Sequence, residues 1–269
     1  MMLQFGAKGH QVKWLQQQLL QQGTVIAVDG DYGEATRQAV LRYQLDNDLP
    51  PTGSVGPRML ARLAGKARPE LLTLRDLQQA ATTLDVALAT MVALANVESR
   101  GNGFFDNGKA VILYERHIFY RQIAVTDQAQ ADALAERYPN LCNPKPGGYI
   151  GGANEYSRLR AACSLDMDAA IEACSWGMFQ IMGMHWQSLG YDSAIAMSRA
   201  MAASEAEQLK ALVKFIMADS KLHQALQQRK WGEFAKRYNG PNYQANNYDI
   251  KLARSYQQLD VLLKEQGYE

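Results

Sequence analysis

Three carboxylates stand where acid–base chemistry could use them: Glu98, Glu115 and Asp106. Glu98 continues an apolar stripe made by Leu84, Ala87, Leu88, Met91, Leu94 and Ala95 at helical spacing, just before Ser99-Arg100-Gly101 stops the helix. Apolar neighbours, a second carboxylate nearby and the negative end of a helix dipole would each favour the protonated acid. A carboxylic acid that keeps its proton near neutral pH can protonate a leaving oxygen. Glu115 follows the apolar run Ala110 to Leu113, expected as a strand or buried turn. Asp106 lies in Phe105-Asp106-Asn107-Gly108, ordinary hairpin-turn chemistry. Placing a carboxylate beside an apolar run is costly, so Glu115 ranks ahead of Asp106 as the partner of Glu98, with an ion pair to Arg116 or Arg121 as its structural alternative.

The elements that must carry these groups are mostly helices. Val12, Leu15, Leu19 and Leu20 recur at helical spacing, as do Ala35, Ala39, Val40 and Tyr43, and Met59, Leu60 and Leu63 begin a third helix. Asp29-Gly30-Asp31-Tyr32-Gly33 and Pro50-Pro51-Thr52-Gly53 read as the turns between them. Longer helical patterns follow, among them an amphipathic one from Glu205 to Phe234 through Leu209, Leu212, Val213, Ile216 and Met217. The expected architecture is mainly α: a small three-helix bundle over residues 1–65, a linker over 66–72, and a larger helical domain with a short β-hairpin over 73–269.

Composition removes several functional classes. With 28 Lys and Arg against 27 Asp and Glu, the net charge of +1 offers no basic field for nucleic acid. No apolar run reaches 18 residues, so no membrane insertion is expected, and the first residues lack the basic and apolar regions of a secretory signal. His10, His117, His185 and His223 are scattered without metal-ligand spacing, and no glycine-rich phosphate loop occurs, so neither metal nor cofactor is expected. Cys142, Cys163 and Cys174 read as free thiols, with a Cys163–Cys174 disulfide as the alternative in an oxidising compartment.

Longer motifs narrow the reading. Gly9, Val12, Leu15-Gln16, Leu19, Val28-Asp29-Gly30-Asp31-Tyr32-Gly33, Thr36, Ala39-Val40, Tyr43-Gln44 and Thr52-Gly53-Ser54-Val55-Gly56 closely resemble the peptidoglycan-binding repeat of wall hydrolases. That resemblance implies a ligand groove beside the turns, with Tyr32, Arg37 and Tyr43 as candidate contacts. Val97-Glu98-Ser99-Arg100-Gly101, Ser175-Trp176-Gly177-Met178-Phe179-Gln180-Ile181-Met182 and Phe234-Ala235-Lys236-Arg237-Tyr238-Asn239-Gly240-Pro241 resemble, in order, three signatures of the lysozyme and lytic-transglycosylase superfamily. Leu113-Tyr114-Glu115-Arg116-His117-Ile118-Phe119 and Gly147-Gly148-Tyr149-Ile150-Gly151-Gly152 are similar to the N-acetylmuramidase domain of certain phage endolysins.

The resemblance implies a lysozyme-like fold and cleavage of the β-1,4 bond between N-acetylmuramic acid and N-acetylglucosamine. Glu98 is then the general acid, and Ser175, Gln180, Tyr238, Asn239 and Tyr149 are expected to hold the sugars, with Gly177 admitting them close to the backbone. Trp176 and Phe179 are weighed between sugar contact and core packing, and core packing is preferred. A monomer acting on bacterial peptidoglycan is expected, made in a host cytoplasm and reaching the wall through a membrane hole. The rival chemistry is a lytic transglycosylase using Glu98 alone; a non-catalytic wall-binding or tail protein is the rival outside enzymes.

Overall fold

The structure is a computed structural model that describes residues 2–66, 68–98 and 102–268, without the side chains of Glu98, Pro241 and Asn242. The chain folds into two compact units, one made of Met1–Gly101 with Ser220–Glu269 and the other of Asn102–Asp219. Helices dominate, with one small three-stranded sheet among the described residues.

The first unit begins with α1 (His10–Gln21), α2 (Glu34–Asp46) and α3 (Pro57–Leu63), the expected three-helix bundle. Its core gathers Val12, Leu15, Leu19, Val40 and Met59. Two buried glutamines pin the turns. Gln16 donates to Asp29 Oδ1 (2.8 Å) and Thr36 Oγ1 (3.0 Å) while its carbonyl accepts from the Gly30 amide (2.8 Å). Gln44 likewise accepts from the Gly53 amide (2.9 Å) and donates to the Ser54 carbonyl (2.7 Å). Each buried side-chain amide thus satisfies donors and acceptors that a turn would otherwise expose to an apolar core.

Next come α4 (Leu74–Leu84), opened by a Thr73–Asp76 capping box, and α5 (Leu88–Glu98). The sequence pattern had run Leu84 into the same helix as Glu98. Instead Asp85 adopts a left-handed conformation (φ 52°) and the Val86 amide reaches back to the Ala81 carbonyl, which closes α4. The two helices meet at 114°, and no single helix among the described residues is long and apolar enough to cross a membrane.

The second unit carries β1 (Ile112–Tyr114), α6 (Arg116–Thr126), α7 (Gln128–Arg137), α8 (Glu155–Cys163) and α9 (Met167–Glu172). β2 (Cys174–Trp176), β3 (Ile181–Met182), α10 (Ala194–Ala203) and α11 (Glu205–Ala218) complete it. The strands lie antiparallel in the order β1-β2-β3, with Leu113 opposite Ser175 and Ser175 opposite Met182. The pattern from Glu205 yields α11 alone, and Met217, expected on its apolar face, is exposed.

The chain then returns to the first unit as α12 (Ser220–Gln227), α13 (Trp231–Asn239) and α14 (Tyr248–Glu265). α14 packs along α5, which also rests on α4. His223 Nε2 lies 2.7 Å from the Leu84 carbonyl at the α4 end. Cys142, Cys163 and Cys174 are free.

Candidate active site

Glu115 sits at the junction of β1 and α6, and both its backbone groups are used there. Its amide donates to the Ala173 carbonyl (2.9 Å), and its carbonyl accepts from Ile118 and Phe119 in the first turn of α6. The side chain makes no cap on that helix and is only 15% exposed. Its Oε2 accepts a hydrogen bond from the Tyr149 hydroxyl (2.8 Å), and His117 Nδ1 lies 3.2 Å from the same oxygen, off-line for a hydrogen bond. Burial holds His117 below the usual imidazole range in spite of the carboxylate beside it. Burial, then the Glu115 carboxylate, pushes the Tyr149 hydroxyl up to about 12, so it serves as a donor at neutral pH.

Neither arginine weighed as a partner for Glu115 takes that role. Arg116 instead donates to the carbonyls of Pro139 (3.0 Å), Lys145 (3.0 Å) and Pro146 (3.1 Å). Its guanidinium lies where a side chain on Gly148 (φ 74°) would sit, with Nη1 3.0 Å from that position. Arg121 turns back to the His117 carbonyl. The segment after Arg116's anchor points is held at its other end by Glu155, which is fully buried. Its Oε1 accepts from the amides of Ile150 (2.7 Å) and Gly151 (2.9 Å), and its Oε2 from Arg158 (2.7 Å). Burial opposes the charge on Glu155, but the Gly151 amide, Arg158 and the Ile150 amide outweigh it and keep its carboxyl below the usual range. Arg158 also donates to Tyr114 and Asn140 carbonyls, joining β1 to the same segment. Between these anchors Tyr149 and Ile150 stand exposed.

Ser175 and Gln180 meet across the turn from β2 to β3. The Ser175 hydroxyl donates to Gln180 Oε1 (2.7 Å), and Gln180 Nε2 donates to the Gly177 carbonyl (2.8 Å). Gln180 has φ 50°, unusual for a residue with a side chain, and is exposed. Trp176 and Phe179 lie in the core, the Trp176 indole donating to the Ile171 carbonyl (3.2 Å). Gly177, expected to admit a sugar, is small for another reason. The Gln208 side chain fills its Cβ position, which would lie 2.4 Å from Gln208 Cδ. Gln208 Oε1 accepts from the Met178 amide (2.7 Å) and its amide donates to Met201, while the buried Glu205 accepts from the Gly103 amide (2.7 Å). Neither α11 side chain was singled out in the sequence; a glutamate and a glutamine three apart on an apolar helix face were the available signal.

Asp106 occupies the exposed tip of a hairpin closed by the Phe104–Ala110 bridge, with Gly108 donating back to Phe105. In the other unit, Tyr238 is stacked between Phe234 (5.5 Å) and Tyr248 (6.4 Å), and Asn239 is the exposed last residue of α13. Glu98 ends α5; its carboxyl group, and the Ser99-Arg100-Gly101 stop, lie outside the described residues. In the N-terminal bundle, Tyr32 and Tyr43 belong to the core, and the Tyr32 hydroxyl donates to the Gly53 carbonyl (3.1 Å). Tyr32 and Tyr43 are therefore structural, and Arg37 is the residue of the three that reaches the surface. Among the described residues no cluster of three or more His, Cys, Asp or Glu side chains could hold a metal ion.

Comparison with known proteins places these elements. Residues 87–260 match the N-acetylmuramidase family, and residues 8–63 match a putative peptidoglycan binding domain. The crystal structure of Burkholderia AP3 phage endolysin is similar at 47% identity and a TM-score of 0.93, over 97% of this chain and 99% of that one. No curated protein matches the chain.

Proposed function

Because the chain belongs to the N-acetylmuramidase family and carries a peptidoglycan-binding domain ahead of it, we propose that Glu98 and Glu115 are the carboxylates with which this peptidoglycan hydrolase, an endolysin, cuts its glycan. The observation that carries the assignment of the second carboxylate is the Tyr149 hydroxyl bond to Glu115, inside the N-acetylmuramidase match. Both nearby arginines are turned elsewhere, and the Tyr149 hydroxyl and the neutral His117 imidazole beside Glu115 bring no charge of their own, so neither arginine competes with the substrate for this carboxyl group.

The Glu98 carboxyl donates its proton to the oxygen that links N-acetylmuramic acid to N-acetylglucosamine, and the C1–O bond breaks. Water then adds to C1 and gives its proton to Glu115, whose charge also offsets the positive charge that develops on the sugar ring. Ser175 and Gln180 supply a hydroxyl and an amide for the N-acetyl groups, Tyr238 and Asn239 a second set, and Tyr149 a ring edge beside the reacting bond. Asp106, in a solvated turn, shapes the hairpin. In the bundle, Arg37 is the retained candidate for wall contact. Residues 1–65 grip the wall, 66–72 link, and 73–269 cut. The protein works as a monomer, made in the host cytoplasm and released to the wall through a membrane hole.

Two measurements test this. Glu98→Gln should lose activity on permeabilised cells by at least about 10³-fold while binding sacculi as before; an active Glu98→Gln protein removes the acid from the scheme. Mass spectrometry of the digest should show reducing muramic ends, whereas 1,6-anhydro ends would assign transglycosylation instead.

A further inference from the structure

A polar cleft of about 300 Å³ opens between the N-terminal bundle and α14, within one compact unit. The bundle lines it with Gln4, Phe5, Arg37 and the 52–54 turn, α14 with Ser255 and Gln258, and α5 with Asn96. The buried Leu259 and Leu262 of α14 add apolar lining. Arg37 and the 52–54 turn lie in the peptidoglycan-binding match and Asn96, Ser255, Gln258 and Leu259 in the N-acetylmuramidase match, with Gln4, Phe5 and Leu262 just outside them, so residues of both matches line one cleft.

We infer that this cleft is a second peptidoglycan subsite, taking an N-acetylhexosamine unit of an uncut strand. The inference rests on the reading that the bundle grips peptidoglycan, and four features carry it. First, the bundle has four aromatic side chains; Tyr32 and Tyr43 are in its core, leaving Phe5 (58% exposed) and Trp14 (40%) at the surface, and Phe5 lines the cleft. Second, the lining is amides and hydroxyls around leucines, which is the mixture an N-acetylated sugar needs for its hydroxyls, its amide and its methyl group. The charged side chain there, Arg37, is already paired with Glu34 (2.6 Å) and stacked over Phe5 (5.3 Å), so an uncharged ring fits better than an anionic peptide.

Third, small-molecule sites span about 300–1,000 Å³, so this one holds about one sugar unit with the strand running past it. Fourth, its walls are fixed. Gln38 donates to Glu265 (2.8 Å) and accepts from Gln266 (3.3 Å), which ties α2 to the end of α14. The Gly53 turn is held by Gln44 and Tyr32, and a side chain on Gly53 (φ 62°) would crowd the Arg37 stem, with Cγ 3.3 Å away.

The test uses the full chain in a Glu98→Gln background, so that purified sacculi are bound and not digested. Phe5→Ala and Gln258→Trp, the second filling the cleft, should each weaken sedimentation with sacculi about tenfold, with thermal midpoints unchanged. Trp14→Ala, on the same bundle outside the cleft, should bind as the parent does. Soluble tri-N-acetylchitotriose should displace the parent protein. Full binding by both cleft variants, or loss confined to Trp14→Ala, overturns the subsite; displacement by free stem peptide alone overturns the sugar assignment. If the Glu98→Gln parent itself fails to sediment, the reading of the bundle as a wall anchor falls first and takes the cleft with it.

Discussion

A carboxylate that serves as a base beside a sugar must be oriented by groups that do not neutralise it. For Glu115, the base proposed above, Tyr149 would meet that need, because a phenol held at about 12 donates one directional bond to it without bringing a charge. Removing the hydroxyl alone should therefore disturb the position of Glu115 while leaving the ring for the substrate. Tyr149→Phe is expected to lower kcat roughly tenfold, equivalent to about 1.4 kcal/mol, with KM little changed. If Tyr149 acted only as a flat surface for sugars, that variant would be silent and Tyr149→Ala would raise KM instead. Steady-state kinetics on solubilised glycan separates the two.

At the scale of elements, the part of the site that sequence could disclose was the part written in contiguous motifs. The candidates at the end of β1 and in β2 were legible because Glu115 and Ser175 lie in short, distinctive runs. The roles of Tyr32 and Gly177 were not, since a tyrosine or glycine in a turn looks the same whether it meets a ligand or a neighbour 31 residues downstream, as Gly177 meets Gln208; Tyr43 was legible as core from its helical spacing, and only the added ligand role misplaced it. The break at Asp85 was hidden for a similar reason: apolar residues continue through it at helical spacing, and only the left-handed backbone there ends α4. The segment that presents Tyr149 depends on the buried Glu155–Arg158 pair, and this gives a pH prediction. Because the folded-state pKa of Glu155 lies below its unfolded value, the stabilisation is present above the ordinary carboxylate range and is lost as pH falls through the folded value. Glu155→Gln should cost about 3–5 kcal/mol at pH 7, because it strands the Arg158 charge, and the gap in melting temperature between wild type and variant should narrow in acid. A gap that widens in acid would contradict this account.

For the whole molecule, family boundaries and compact units do not coincide. The N-acetylmuramidase match begins at residue 87, yet α5 and its partner α14 share a unit with the N-terminal bundle. The start of α4 is fastened to that bundle: the amides of Leu74 and Arg75 donate to the carbonyl and carboxylate of Asp48, at 3.1 and 3.0 Å. A chain shortened to begin at residue 73 would lose these bonds together with the Gln38–Glu265 contact. Its melting temperature should drop by several degrees, since each lost kilocalorie per mole costs about 2–4 °C in a chain of this size. An unchanged melting temperature would show that the bundle is a passenger.

The three unpaired thiols have a consequence of their own. Cys142 and Cys174 are buried, and burial keeps both thiols above their usual range, so neither is a ready nucleophile. A molecule whose fold uses no sulfur cross-link can close its core in reducing and in oxidising surroundings alike.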